Sequence, residues 1–150
     1  MKKFTVFATQ ACFIVTIFYS TAHADQTIEV TSTAYNVSVA AQSTLAFSMK
    51  QTATNIILAE GGFDNKTLFG SFKAEGVTLP ACRLGYQCLL FSGTFYVGEA
   101  AGYPNGSKSN FSMTVAINPD DKRIIGVYEI GELPNVPYSQ YGQINGKIGK

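Results

Sequence analysis

Two cysteines, Cys82 and Cys88, carry the clearest chemical signal in this 150-residue chain. They stand in the stretch LPACRLGYQCLLF, with five residues between them. In an oxidising compartment, an even pair of cysteines at this spacing is typical of a structural disulfide. A redox pair would favour the spacing C-x-x-C, and a structural zinc site needs four ligands. We therefore predict a Cys82–Cys88 disulfide.

The compartment follows from the first residues, MKKFTVFATQACFIVTIFYSTAHADQ. Two lysines precede an apolar stretch at 4–19, and Ala22-His23-Ala24 then forms a small-x-small cleavage site. This order is typical of a bacterial secretory signal peptide at 1–24. A transmembrane anchor would need about 20 apolar residues, and a lipoprotein would need a leucine before Cys12. We therefore expect an exported protein, periplasmic or extracellular.

The predicted mature domain, residues 25–150, contains few residues that could form a catalytic site. The single histidine of the chain, His23, leaves with the signal peptide, which excludes serine–histidine and cysteine–histidine nucleophiles and H-E-x-x-H metal sites. The acidic residues are scattered, and the adjacent pair Asp120 and Asp121 stands in a predicted turn. We therefore predict no enzyme activity, no cofactor and no metal site.

Net charge limits the classes of partner. Removing Lys2 and Lys3 from the 11 basic residues leaves nine against ten acidic residues. There is no basic field for nucleic acid or for acidic lipids. No second apolar run is long enough to serve as a transmembrane segment after signal cleavage.

Two segments could bind a protein. Tyrosines on proline-stiffened loops offer large contact area at low entropic cost, although surface aromatics also often pack on their own fold. The segments are GEAAGYPNGSKSN at 98–110 and GELPNVPYSQYG at 131–142. Their candidate binding residues are Tyr103, Pro104, Asn105, Pro134, Tyr138 and Tyr141.

A third candidate is the CRLGYQC loop, which presents Arg83 between the two cysteines. A loop tied by a disulfide is preorganised, and preorganisation lowers the cost of docking. Such a loop suits a role like that of a protease inhibitor, and the alternative is that Arg83 is simply solvated at a turn, which is commoner.

The elements that position these residues are strands. The chain contains two similar stretches, FDNKTLFGSFKAEG at 63–76 and INPDDKRIIGVYEIG at 117–131. Each begins with turn-forming Asn or Asp residues and continues with apolar residues at every second position, which is the strand period. The same alternation occurs at 91–97, 111–117 and 142–148. We predict one all-β domain, an antiparallel meander of about eight strands.

Two details refine this prediction. Glycines on the apolar faces, Gly70, Gly93, Gly126 and Gly142, favour curvature and a closed or nearly closed small barrel, with a β-sandwich as the alternative. Near the start, in TIEVTSTAYNVSVAAQ, the apolar residues shift from even-numbered to odd-numbered positions. This one-residue shift predicts a bulge at 32–34.

The hairpins built on DNKT and on the sequence hydrophobic-x-Gly resemble the small barrel domains of the transferrin-binding lipoproteins and factor H-binding proteins of Gram-negative surfaces. The resemblance covers 63–76, its echo at 117–131 and the closing strand. It implies an eight-stranded barrel that binds a protein partner. A barrel holding a small apolar ligand, as lipocalin-like folds do, is the alternative.

Overall fold

The computed structural model describes residues 27–36, 41–52, 56–65, 68–80, 82–98, 106–133 and 139–149. The predicted signal peptide lies outside these ranges. Eight strands follow one another without a described helix between them. They are β1 (Thr27–Asn36), β2 (Ala41–Gln51), β3 (Ile57–Asp64), β4 (Phe69–Leu79), β5 (Gln87–Val97), β6 (Lys108–Ile117), β7 (Arg123–Ile130) and β8 (Gln140–Ile148).

The eight strands form a closed barrel, in which every strand pairs antiparallel with its neighbours in sequence. The first and last strands close it, with β1 pairing to β8 from Val30 opposite Ile148 to Asn36 opposite Gly142. The predicted all-β meander and barrel are confirmed, and the β-sandwich alternative is not what the chain adopts. None of the described residues forms a helix of the length and apolarity that a membrane crossing requires.

The interior is filled from all eight strands by the alternate residues that the sequence pattern assigned to one face. Strand β6 shows the rule, since its inward residues are at most 1% exposed from Phe111 to Ile117. An eight-stranded barrel is just wide enough for such side chains to fill. The largest inward side chains include Phe63, Phe72, Phe91, Phe95, Phe111, Tyr128, Leu45, Met49 and Met113.

Glycine permits the close approaches that this curvature demands. A Cβ on Gly93 would fall on the carbonyl oxygen of Lys73 and on Ala74 of the neighbouring strand. A Cβ on Gly70 would fall on the ring of Phe95. Both glycines face the interior. Gly93 makes room for the backbone of the neighbouring strand and Gly70 for an aromatic ring, which agrees with glycines that permit the strands to curve.

The bulge predicted at 32–34 is wrong. Strand β1 pairs with β2 in unbroken register from Thr27 opposite Lys50 to Asn36 opposite Ala41. Ser32 is 2% exposed and occupies an inward position that the apolar pattern skipped. Its hydroxyl donates to the carbonyl of Leu45 at 2.5 Å, so a polar residue keeps the alternation without a slip.

The second predicted turn is a compact hairpin tip between β6 and β7. Lys122 adopts a left-handed φ of 57°. The side chain of Asn118 accepts a hydrogen bond from the Asp120 amide at 2.9 Å, and the carboxylate of Asp121 accepts one from the Arg123 amide at 2.9 Å. Both aspartates are exposed, and they serve the turn through these bonds.

The barrel has two distinct ends. The disulfide end contains the start of β1, the finish of β8, and the connections β2–β3, β4–β5 and β6–β7. The loop end contains the connections β1–β2, β3–β4, β5–β6 and β7–β8. The disulfide between Cys82 and Cys88 is confirmed, with the two Cα atoms 6.1 Å apart, and it ties the β4–β5 connection.

Candidate functional site: the loop end of the barrel

The two predicted binding segments connect strands at the same end of the barrel. One joins β5 to β6 and the other joins β7 to β8. Tyr103, Pro104, Asn105, Pro134 and Tyr138 lie outside the described residues. The described bases of the two segments, which are about 30 residues apart in sequence, lie at the same end of the barrel.

The base of the β5–β6 connection is described on both sides. The Val97 amide donates to the carbonyl of Ser107 at 2.9 Å, and the Gly106 amide donates to the carbonyl of Val97 at 3.1 Å. Gly106 has a φ of +77°, which glycine adopts without strain. These bonds extend the β5–β6 ladder past the strand ends, so the connection starts from a fixed base.

The base of the β7–β8 connection is bonded to β6. The Gly131 amide donates to the carbonyl of Asn110 at 2.8 Å. The Ser109 hydroxyl donates to the carbonyl of Glu132 at 3.0 Å. Strand β6 therefore carries the bases of both predicted binding segments, one on each side.

A buried amide pair links two elements at the loop end. Asn65 and Gln140 are each 3% exposed, and the Asn65 side-chain amide donates to Gln140 Oε1 at 3.2 Å. Asn65 Oδ1 also accepts the Leu68 amide at 2.5 Å. Because both amides are satisfied in part by each other, the β3–β4 turn is tied to the start of β8 without an unpaired buried group.

Among the described residues, three exposed aromatic side chains lie at this end, and we call them the aromatic rim: Tyr35, Phe69 and Tyr141. They are 43%, 48% and 52% exposed. Tyr35 is next to last in β1, Phe69 opens β4, and Tyr141 is second in β8. Each points outward within two residues of the loop end.

The rim differs in part from what the sequence predicted. Tyr141 was placed in a loop, but it lies in β8 and faces outward opposite Glu129. Tyr35 and Phe69 were not among the candidates. The sequence signal for such residues is an aromatic residue that stands next to a turn, at one of the alternating strand positions otherwise occupied by polar residues.

Phe69 also contacts the base of a predicted binding segment. The Gly98 amide donates to the Phe69 carbonyl at 2.8 Å. A Cβ on Gly98 would lie 2.6 Å from Phe69 Cδ1, so the ring rests against the glycine that begins the β5–β6 connection. The rim is therefore continuous with that connection.

Arg83 lies at the other end of the barrel, away from the aromatic rim. Its guanidinium carbon is 4.6 Å from the centroid of the Tyr86 ring within the same loop, a cation–π contact. The residue that the loop presents most fully is Leu84, which is 100% exposed. The candidate residues therefore divide between the two ends, and the contact with Tyr86 engages Arg83 within its own loop.

The phenol of Tyr128 is a buried ionisable group inside the barrel near the loop end. Tyr128 is 2% exposed, and burial raises its pKa to about 12, with the nearby Ser43 hydroxyl lowering it slightly. Neither hydroxyl has a hydrogen bond of normal geometry to any described residue. The phenol is therefore neutral at physiological pH, because desolvation disfavours its charged form.

The wall beside the aromatic rim carries an open groove and no cluster of metal-ligating side chains among the described residues. In the described part of the chain, no group of three or more histidine, cysteine or acidic side chains is placed to hold a metal ion. A shallow outer groove of about 380 Å³ runs over β6, β7 and β8, with Tyr141, Glu129 and Gln143 among its lining residues. It lies beside the aromatic rim and extends the exposed contact surface.

No family model matches the chain, and no curated protein or solved structure is similar enough to it to be matched.

Proposed function

We propose that this protein is a non-catalytic binding barrel that engages a protein partner at its loop end. The aromatic rim is the observation that carries the proposal, because three exposed rings border the end from which both tyrosine- and proline-rich segments leave. Large aromatic side chains dominate the energetics of protein interfaces. Elsewhere on the barrel wall, exposed aromatic side chains of this size are absent from the described residues.

The bonded bases of the two segments favour this use of the end. Binding is costly when loops must be ordered on docking. Here the β6 strand holds one base through Val97 and Ser107 and the other through Ser109 and Glu132. A partner would meet segments that start from a rigid platform.

The resemblance to transferrin-binding and factor H-binding barrel domains points in the same direction, since those families bind host proteins. The predicted export of the chain agrees with a partner in the periplasm or outside the cell. A small apolar ligand is the less favoured alternative, because rings from several strands already occupy the barrel interior.

Site-specific photo-crosslinking tests the proposal in the producing cells and in contact with the surrounding medium. A photoreactive phenylalanine derivative replaces Phe69 or Tyr141 on the rim. The controls replace Glu60 and Lys73, whose side chains are 58% and 67% exposed on the barrel wall. We expect a discrete heavier adduct from the rim positions only.

Adducts of equal yield from the wall positions would contradict the proposal, and so would none from the rim. Two further variants, Tyr103→Ala and Tyr138→Ala, should weaken the rim adduct while leaving the unfolding midpoint unchanged. A variant that lowers the midpoint would be reporting on folding, and for that variant the rim adduct is compared at matched folded concentration.

A further inference from the structure

The outer wall of β4 to β7 carries an uncharged apolar patch near the disulfide end, which we call the side face. It consists of two rows of outward residues that run across the four strands. The first row is Val77, Leu90, Thr114 and Val127. The second row is Leu79, Cys88, Ala116 and Ile125, in which Cys88 is only 4% exposed and the other three residues are half-buried.

The side face is continuous because neighbours in each row are directly paired across the sheet. Val77 lies opposite Leu90, and Thr114 lies between Leu90 and Val127. Val77, Leu90 and Val127 are 52%, 42% and 55% exposed. Directly paired residues are about 5 Å apart, so Val77, Leu90 and Val127 form one surface that is interrupted only by Thr114.

Charges border the side face asymmetrically. Along the outward side of β7 the order is Arg123, Ile125, Val127 and Glu129, with both charged residues exposed. On β4, Glu75 is exposed beside Val77 on the side toward the loop end. The flank toward the loop end is thus acidic, and Arg123 makes the flank toward the disulfide end basic.

We propose that the side face binds a second copy of this chain, with the two barrels antiparallel about a two-fold axis across the strands. Such an axis lays β7 on the β7 of the other copy in the opposite direction. Ile125 then meets Val127, and Arg123 meets Glu129, in both halves of the contact. The order Arg-Ile-Val-Glu is self-complementary only in this orientation.

A parallel arrangement would place Arg123 on Arg123 and Glu129 on Glu129, and like charges in contact oppose association. A different protein as occupant would need its own complement of this charge order. The chain already supplies that complement, since Arg123 and Glu129 are about 20 Å apart along β7 at the strand rise and cannot pair within one molecule.

The size of the side face sets the expected strength of the contact. Four strands at about 4.8 Å and two rows at about 6.8 Å make up roughly 260 Å² of barrel wall, and the flanking charged rows extend this to about 520 Å² in each molecule. Because four strands are half of the closed eight-stranded barrel, its curvature keeps part of this wall out of a single contact. The two copies together therefore bury less than about 1,000 Å², which is the size range of weak interfaces. The dimer is therefore reversible and depends on concentration.

Sedimentation velocity of the purified protein over a wide concentration series tests the proposal. The wild-type sedimentation coefficient should rise with concentration. Arg123→Glu and Glu129→Arg should each raise the dissociation constant about tenfold, because each reversal places like charges together twice in a two-fold dimer. The double variant with both reversals should restore the wild-type value.

Glu60→Arg is the matched control, since it reverses an exposed charge on β3, which lies outside the side face and four strands from β7, and it should leave association unchanged. Circular dichroism confirms that each variant is folded. A monomer at every concentration would overturn the proposal. An unchanged dissociation constant in both single variants would overturn it as well. So would a double variant that associates as weakly as the single variants.

Discussion

The rings of Phe72 and Phe111 stack in the barrel interior, with centroids 4.1 Å apart and planes inclined by 18°. The two residues belong to β4 and β6, which are not neighbours in the sheet. On β5 between them, Gly93 lies opposite both Ala74 and Phe111. The absence of a side chain at Gly93 lets β4 approach β5 closely at this level, since a Cβ there would meet the Lys73 carbonyl and Ala74.

This stack should appear as a coupling energy. Phe72→Leu and Phe111→Leu should each lower the free energy of unfolding by about 1–3 kcal/mol. The double variant should lose about 1 kcal/mol less than the sum of the two single losses, because the first substitution already abolishes the stacking interaction. Urea unfolding of the four proteins measures this difference. The Phe47–Phe72 pair, 6.1 Å apart at 57°, should show a smaller coupling, and equal couplings would contradict the assignment.

Gly93→Ala should destabilise the barrel by about 1–3 kcal/mol or more, because the new methyl group meets the Lys73 carbonyl and Ala74 and the strand has to shift. Gly62→Ala is the matched control in β3, where the added Cβ would meet only the Gly70 carbonyl, at 3.7 Å. That variant should be neutral or slightly more stable. Thermal unfolding compares the two, and similar losses would show that curvature is not the reason for glycine at 93.

Loss of the disulfide should cost on the order of 2 kcal/mol, since the bond closes a short loop and constrains the unfolded chain only modestly. The variant Cys82→Ser with Cys88→Ser should keep the barrel and unfold at lower urea concentration. Adding a reductant should shift the wild-type midpoint to that of the variant and leave the variant where it is. A reductant effect on the variant would point to a different cause.

The buried phenol of Tyr128 predicts a loss of stability in alkali. Its pKa is about 12 in the folded protein and about 10 in an unfolded chain. Above about pH 10 the unfolded state releases its proton first, so the free energy of unfolding falls with rising pH by up to roughly 2–3 kcal/mol near pH 12. Below pH 10 this group contributes no pH dependence.

Tyr128→Phe isolates that contribution, because the other tyrosines and lysines titrate in both proteins. At neutral pH the variant should be as stable as the wild type or more so, since it removes a buried hydroxyl with no hydrogen bond of normal geometry to a described residue. The stability difference should grow in favour of the variant above pH 10. A constant difference across pH, measured by urea unfolding, would rule out a shifted pKa.

Strand alternation made most of the fold predictable. In stretches such as Phe111 to Ile117, every inward residue is apolar, so the period of two is unmistakable in the sequence. Strand β1 broke the pattern because Ser32 is inward, and its hydroxyl is satisfied by the Leu45 carbonyl. A hydrogen bond to a residue 13 positions away cannot be seen in local sequence, and a bulge was predicted in its place.

The candidate site was only partly predictable for a related reason. Tyr103 and Tyr138 could be predicted as candidates because each has a neighbouring proline. The meander then places their connections at one end of the barrel. Phe69 and Tyr35 become candidates only when the barrel fixes which parity faces outward and which strand ends share a rim. The side face likewise depends on register, because Val77 and Val127 are 50 positions apart in sequence and share one row.

The closing pair of strands also gives the molecule a defined polarity. Because Val30 lies opposite Ile148, the first described strand begins and the last one finishes at the disulfide end. Any tether joined ahead of Thr27 or beyond Ile148 would hold the barrel by that end and point the aromatic rim away from the support. Immobilising the protein through either terminus should therefore present the rim to a soluble partner, whereas attachment through a residue near Tyr141 should mask it.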